Sequence, residues 1–202
     1  LDALNAKLDL LNEKCIVNHS CYFGATNNNY TEFDKLDKHR VCGIKLFMGS
    51  STGNMLVDKM NSLLNIFNGT DMLIAAHCED QETIKNNIEK YKQKYKGADD
   101  IPVSAHPSIR SVPACYASSE LAVRLAKIAG ARLHILHVST AKELQLFSDE
   151  PLASKNITAE ACVAHLLFTL THYNSLGTRI KCNPAVKRKT DREALRAAVN
   201  SG

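Results

Sequence analysis

The stretch Val41-Cys-Gly-Ile-Lys-Leu-Phe-Met-Gly-Ser-Ser-Thr-Gly-Asn54 decides how the chain is read. Val41 to Leu46 reads as a buried strand, yet Lys45 sits inside it, just ahead of a Gly/Ser/Thr loop. Lysine is almost never fully buried unless it is paired. The rest of the chain must supply the partner, so we looked for other strands that end the same way. In a strand, residues i and i+2 share a face. Gly43, Lys45 and Phe47 share one in this strand. Leu73, Ala75 and His77 share one in the run Asp71–His77, and Leu133, Ile135 and His137 share one in Ala131–Val138. Each strand delivers one basic side chain at its C-terminal end, and each is followed by a loop.

Working outward, strands alternate with helices. A helix opens the chain, with Leu4, Leu8 and Leu11 on one face. Strands are expected at 14–24, 41–48, 71–77, 131–138, 156–163 and, as a short sixth, 178–183. Helices are expected at 30–38, 57–67, 80–95, 112–130, 140–147 and 190–199, the fourth opening near Pro113 and closing at Gly130. This alternation means βαβ units and a parallel sheet. No GxGxxG follows the first strand, which weakens a nucleotide-binding open sheet. Basic side chains at several strand C-termini favour a (β/α)8 barrel, where such ends converge on one site.

Composition excludes several classes. The chain has 202 residues, 45% hydrophobic and 23% charged, which fits an ordinary globular protein. Its net charge of +4 is scattered rather than striped, so no nucleic acid is expected as partner. No apolar run approaches the ~20 residues of a membrane span. The seven cysteines are odd in number and lack CxxC spacing, which argues against a disulfide framework and for a reducing, cytoplasmic setting.

Two neutral imidazoles suit zinc or another divalent ion. A buried lysine loses its proton easily. The neutral amine can add CO2 and become a carbamate, a carboxylate able to bridge two metals. On this reading the partner of Lys45 is CO2 and a metal pair.

The segments GIKLFMGSSTGNMLVD (43–58), AAHCEDQETI (75–84), ARLHILHVSTAKEL (131–144), ITAEACVAHLLF (157–168) and KCNPAVKRKTDREAL (181–195) resemble dihydroorotases of the amidohydrolase superfamily, nearly from end to end. The resemblance implies an α/β fold, the (β/α)8 TIM barrel of the metal-dependent hydrolase type. It implies reversible, zinc-dependent cyclisation of N-carbamoyl-L-aspartate to L-dihydroorotate in pyrimidine synthesis. It implies two zinc ions bridged by carboxylated Lys45, with His77 and His137 as ligands of the second ion. It places Asn183 against the substrate ring and Ser50, Thr52 and Gly53, more weakly, on the loop facing the site. Partners are then small molecules, without membrane or nucleic acid, and a homodimer is open.

The departures carry information too. The family's first-strand His-x-His-x-Arg and last-strand Asp-His are not found here. Residues 1–202 therefore read as the central part of one catalytic barrel domain, about strands 3 to 7, an incomplete barrel. No catalytic residue is expected inside it, the general-base aspartate being expected beyond residue 202, and the segment alone is expected to be inactive. Ala164-His165 stands where relatives carry two histidines, which leaves His165 structural. His134 is expected on the opposite face from His137, toward the helices. His106 and Arg110 lie on a long loop, equally suited to closing the site or to solvent. The rival readings are another cyclic amidohydrolase (hydantoinase, dihydropyrimidinase or allantoinase) and a non-catalytic homologue serving as a structural subunit.

Overall fold

Five short strands run parallel and pair strictly in chain order. A computed structural model describes residues 1–49, 53–97, 99 and 101–201. The strands are β1 (Cys21–Gly24), β2 (Val41–Phe47), β3 (Ile74–His77), β4 (Leu133–Ile135) and β5 (Ile157–Ala159). The helices are α1 (Asp2–Lys14), α2 (Met60–Asn68), α3 (Gln81–Tyr95), α4 (His106–Ile109), α5 (Val112–Ala129), α6 (Val163–Leu167), α7 (Tyr173–Leu176) and α8 (Lys189–Ser201). The sheet does not close on itself, so the architecture is an incomplete barrel.

Pairing register assigns the two faces. Residues opposite one another in neighbouring strands share a face. Ile44 pairs Ile74, Ile74 pairs Leu133, and Leu133 pairs Ile157. With Leu46, Ala76 and Ile135 they form the outer face, packed on Leu63, Ile66 and Phe67 of α2 and Ala122, Val123 and Ala126 of α5. Ile44, Leu46, Ile74, Leu133 and Ile66 are completely buried. Each such side chain contributes about 1.5–3 kcal/mol by leaving water. The other face carries Lys45 beside Ala75, Phe47 beside His77, Ala75 beside His134, and His134 beside Thr158.

Local chemistry sets the ends of the main helices. Asp80 caps α3 by accepting from the Thr83 amide at 2.8 Å. Ser111 caps α5 from the Ala114 amide, Pro113 occupies its first turn, and Gly130 closes it at φ 65°. That last position is left-handed, where glycine avoids the clash a Cβ would make.

Four expected elements come out differently. The first strand shrinks to Cys21–Gly24, and Ile16 and Val17 ahead of it are exposed. The expected helix at 140–147 tightens to a 3-10 turn over Glu143–Leu146, because Glu143 folds back onto Thr140 and Ser139. β5 stops at Ala159, and the chain turns at Cys162 into α6. The sixth strand does not form: Gly177–Ile180 is a 3-10 turn entered at Gly177 with φ 57°. The Arg179 side chain holds that turn to the Leu176 carbonyl at 3.3 Å.

Candidate metal centre

Lys45, His77 and His137 come together, though by a different route from the one their spacing suggests. Lys45 and His77 stand on the inner face, as expected. Leu133 and Ile135 do not: they belong to the outer core. β4 ends at Ile135, and His137 takes φ 44°. Positive φ is uncommon for a residue with a Cβ. This break in the strand returns the His137 side chain to the inner side. The alternation thus fails at its last step, and the residue still arrives.

His77 and His137 meet ring to ring. His77 Nδ1 lies 2.9 Å from His137 Nε2, with ring centroids 4.7 Å apart and planes at 77°. Burial first, and then the neighbouring His77 and Lys45, push the His137 imidazole down to about 3. It stays neutral near pH 7 and keeps a lone pair to offer.

Lys45 has no carboxylate partner among the described residues. Its Nζ donates to the Leu46 carbonyl at 3.3 Å and stands 3.8 Å from the centre of the Phe47 ring. Burial pulls its ammonium down to about 8. The question raised by the sequence therefore stands in the structure: the strand holds a half-buried lysine whose charge no acid among the described residues pairs.

Beneath His77 lies a group the sequence reading passed over. Glu79 is completely buried, and its Oε2 sits 2.9 Å from His77 Nε2 and 2.5 Å from Arg110 Nη1. Burial alone would raise its carboxyl, but the His77 hydrogen bond and the Arg110 charge outweigh that and hold it below the usual range. Arg110 thus leaves the loop and reaches inward. An acid two residues past a strand-end histidine, in His77-Cys78-Glu79, was the available signal.

The remaining candidates scatter around this core. Asn183 lines a cavity of about 380 Å³ with Arg110, His106 and Lys181, and Arg110 is two contacts from His77, through Glu79. His106 Nε2 is 2.9 Å from the Cys182 carbonyl, and buried His165 Nε2 is 2.9 Å from the Pro184 carbonyl. Both serve the Lys181–Pro184 turn. His134 is corrected: it stands on the inner face, not the helix side, 2.8 Å from Thr158 Oγ1 and 3.4 Å from Glu160. Gly53 has φ 66°, while Ser50 and Thr52 lie outside the described residues. A larger cavity of about 680 Å³ opens between Phe147, Leu152, Ile157 and α8, and none of Lys45, His77 or His137 lines it.

The donor set fits part of a metal centre. Among the described residues, no three His, Cys, Asp or Glu side chains are grouped to hold an ion. What is present is two facing imidazoles and a lysine that becomes a carboxylate only after modification. All seven cysteines are free. Among the described residues no helix is long and apolar enough to cross a membrane.

Comparison with known proteins gives two concordant sets of relatives. No family model matches the chain. In sequence it is 29% identical over 150 residues to the dihydroorotase of Halalkalibacterium halodurans, covering 73% of this chain and 32% of that protein. It is 28% identical to the dihydroorotase of Shouchella clausii, covering 100% of this chain and 45% of that one. The chain therefore spans between a third and a half of these relatives' length. Among solved structures, the L-hydantoinase (dihydropyrimidinase) of Arthrobacter aurescens superposes on the whole chain with TM-score 0.89 and 22% identity, covering 45% of that chain. The D-hydantoinase of Bacillus sp. AR9 superposes on 98% of it with TM-score 0.80 and 18% identity, again covering 45% of the neighbour. In fold the chain is part of the (β/α)8 barrel seen in the hydantoinases, and in sequence it resembles the dihydroorotases.

Proposed function

We propose that this chain is the central part of a dihydroorotase, the enzyme that interconverts N-carbamoyl-L-aspartate and L-dihydroorotate. The observation that carries the reading is the meeting of His77 and His137 at 2.9 Å beside a Lys45 that no acid among the described residues pairs. The sequence relatives named dihydroorotase favour this cyclic amide over the hydantoins, since the hydantoinase likeness is one of fold.

Lys45, His77 and His137 would hold divalent metal, and imidazole nitrogen with carboxylate oxygen suits zinc. Two ions bridged by carboxylated Lys45 is the arrangement we propose. When bound, the ions supply Lewis-acid activation of water and of the ring carbonyl. The chain's own part is preparation. Its burial keeps a fraction of Lys45 as free amine near neutrality. That amine attacks CO2, an N–C bond forms, and the displaced proton leaves to solvent, giving a carbamate. Phe47, packed between Lys45 and His77, covers both groups with an apolar ring. We assign Asn183 to the substrate ring from the sequence resemblance; the cavity it shares with Arg110 is not lined by Lys45, His77 or His137. The free cysteines agree with a cytoplasmic setting.

The test is turnover of L-dihydroorotate by the intact protein with added zinc, beside hydantoin and dihydrouracil. Dihydroorotate should be preferred, and His77→Ala and His137→Ala should each lose metal and activity together. Extra planar density on Lys45 Nζ should accompany metal loading. The 202-residue segment alone should be inactive, because zinc wants four ligands and few are present. Preference for hydantoin would transfer the reading to that class. Full metal content after both histidine substitutions would end it.

A further inference from the structure

Among the described residues Glu79 is the fully buried carboxylate in contact with the paired histidines, and its surroundings restrict what it can do. We infer that Glu79 is a positioning residue: it accepts the Nε2 proton of His77, selects the tautomer whose Nδ1 lone pair faces His137, and so presets the two imidazoles for a divalent cation. The inference rests on the metal-binding reading above.

The argument is one of donors and acceptors. An ionised carboxylate accepts only. A ring nitrogen 2.9 Å from it must therefore carry a proton, since a bare lone pair there would be repelled. That proton is on Nε2. In the neutral ring the other nitrogen, Nδ1, is then bare, and Nδ1 is the atom facing His137. With the bare nitrogen of His77 as acceptor, the proton in the short contact belongs to His137 Nε2. His137 Nδ1 is correspondingly bare, and it is buried with no hydrogen-bond partner among the described residues. The orphaned atom is compatible with this tautomer, and a cation taking the place of the shared proton would bind the Nε2 lone pair of His137 and leave its proton on Nδ1.

Arg110 completes the device. Its Nη1 contacts the same Oε2 atom that faces His77. The guanidinium balances the carboxylate charge, so Glu79 can hold the Nε2 proton without needing His77 to become a cation. A cationic His77 would have no lone pair to give. The backbone supports the same arrangement: Met48 donates to the His77 carbonyl at 2.9 Å, and Asp80 donates its amide to the Ala114 carbonyl at 2.9 Å. The residues on both sides of Cys78-Glu79 are thereby fixed. Histidine ligands of metals commonly give their second N–H to a carboxylate, and loss of that carboxylate costs about 10–100-fold in metal affinity.

The experiment uses the intact protein. Nitrogen-15 histidine spectra of the metal-free wild type should show His77 protonated on Nε2. Titration with Co2+, followed by its visible absorption, should show binding that weakens about 10–100-fold in Glu79→Gln. The variant's melting should stay cooperative, and its His77 should populate both tautomers. Glu79→Asp, which keeps the charge but shortens the reach, should fall between the two. A wild type with His77 protonated on Nδ1 overturns the inference even where the variants fail to fold. Wild-type Co2+ binding that Glu79→Gln leaves unchanged also overturns it, while the metal reading survives. Absence of Co2+ binding by the wild type sinks the metal reading itself, together with what rests on it.

Discussion

Replacing Lys45 by Met should make the metal-free protein more stable while removing its ability to take up metal. Burial drops the Lys45 ammonium from the ordinary 10.5 to about 8. At 1.36 kcal/mol per pH unit, this is an upper bound of about 3 kcal/mol for keeping the lysine charged in the fold. Lys45 is only half-buried, so solvent screening reduces it, and a cost of about 1–2 kcal/mol is the reasonable figure. Methionine lacks that charge and can pack on Phe47 with similar length. The pH dependence carries the diagnosis. The folded protein releases the Lys45 proton at a lower pH than the unfolded chain does. The unfolded state thus binds more protons between about pH 8 and 10.5, and wild-type stability rises across that window. Below about pH 8 both states are charged and the full cost is present. The advantage of Lys45→Met should therefore be largest below pH 8 and fade toward pH 10.5. Urea unfolding of both metal-free proteins from pH 6 to 10 measures it. A variant less stable than wild type at pH 7, or an advantage that does not change with pH, would refute the reasoning.

Two other perturbations probe what surrounds the site. A Cβ at Gly49 would collide with the Glu79 carbonyl, so Gly49→Ala should displace the Glu79 backbone and cost about 1–3 kcal/mol, with weaker Co2+ binding as its second signature. Thermal melting and a cobalt titration check both. Glu143, fully buried behind β4, accepts from Ser119, Thr140 and the Ser139 amide. Glu143→Ala strands these donors, each at about 1–3 kcal/mol, and should destabilise by at least about 3 kcal/mol in denaturant unfolding.

The legible part of the fold was the part where one rule acted alone. β2 and β3 form as strands inside the apolar runs that marked them, and Lys45 and His77 follow from their places near the strand ends. The ends of α5 are local chemistry, Pro113 in its first turn and Gly130 at its close, and they were readable for that reason. The run at 178–183 misled because strand propensity is a statement about partners. Gly177 and the Arg179 bonds to preceding carbonyls satisfied the backbone locally, and no neighbouring strand of the described residues pairs with it. Glu79 was passed over for a related reason, its nearness to His77 in the chain being the one local signal. A buried acid is recognisable by what compensates it, and Arg110 lies 31 residues away.

His134 and His137 show what alternation cannot supply. Two histidines three residues apart in a regular strand must stand on opposite faces. Here both reach the inner side, His134 by register with Ala75 and Thr158, His137 by leaving the strand through φ 44°. Strain of this kind costs of order 1–3 kcal/mol and persists where surrounding structure imposes it. The imposing contacts are visible. Leu136 donates to the Ala76 carbonyl at 3.0 Å and Val138 donates to the Glu160 carbonyl at 2.8 Å, so the chain is held by β3 on one side of His137 and beyond β5 on the other. Leu133 and Ile135 are locked in the outer core, which forbids a one-residue slip as the alternative way to turn His137 inward. The break at β4 is therefore the cheapest solution that keeps the core and still delivers an imidazole to His77. A strained residue whose ring faces another histidine at 2.9 Å is difficult to explain as packing, and it is what a site built around two facing ring nitrogens would retain.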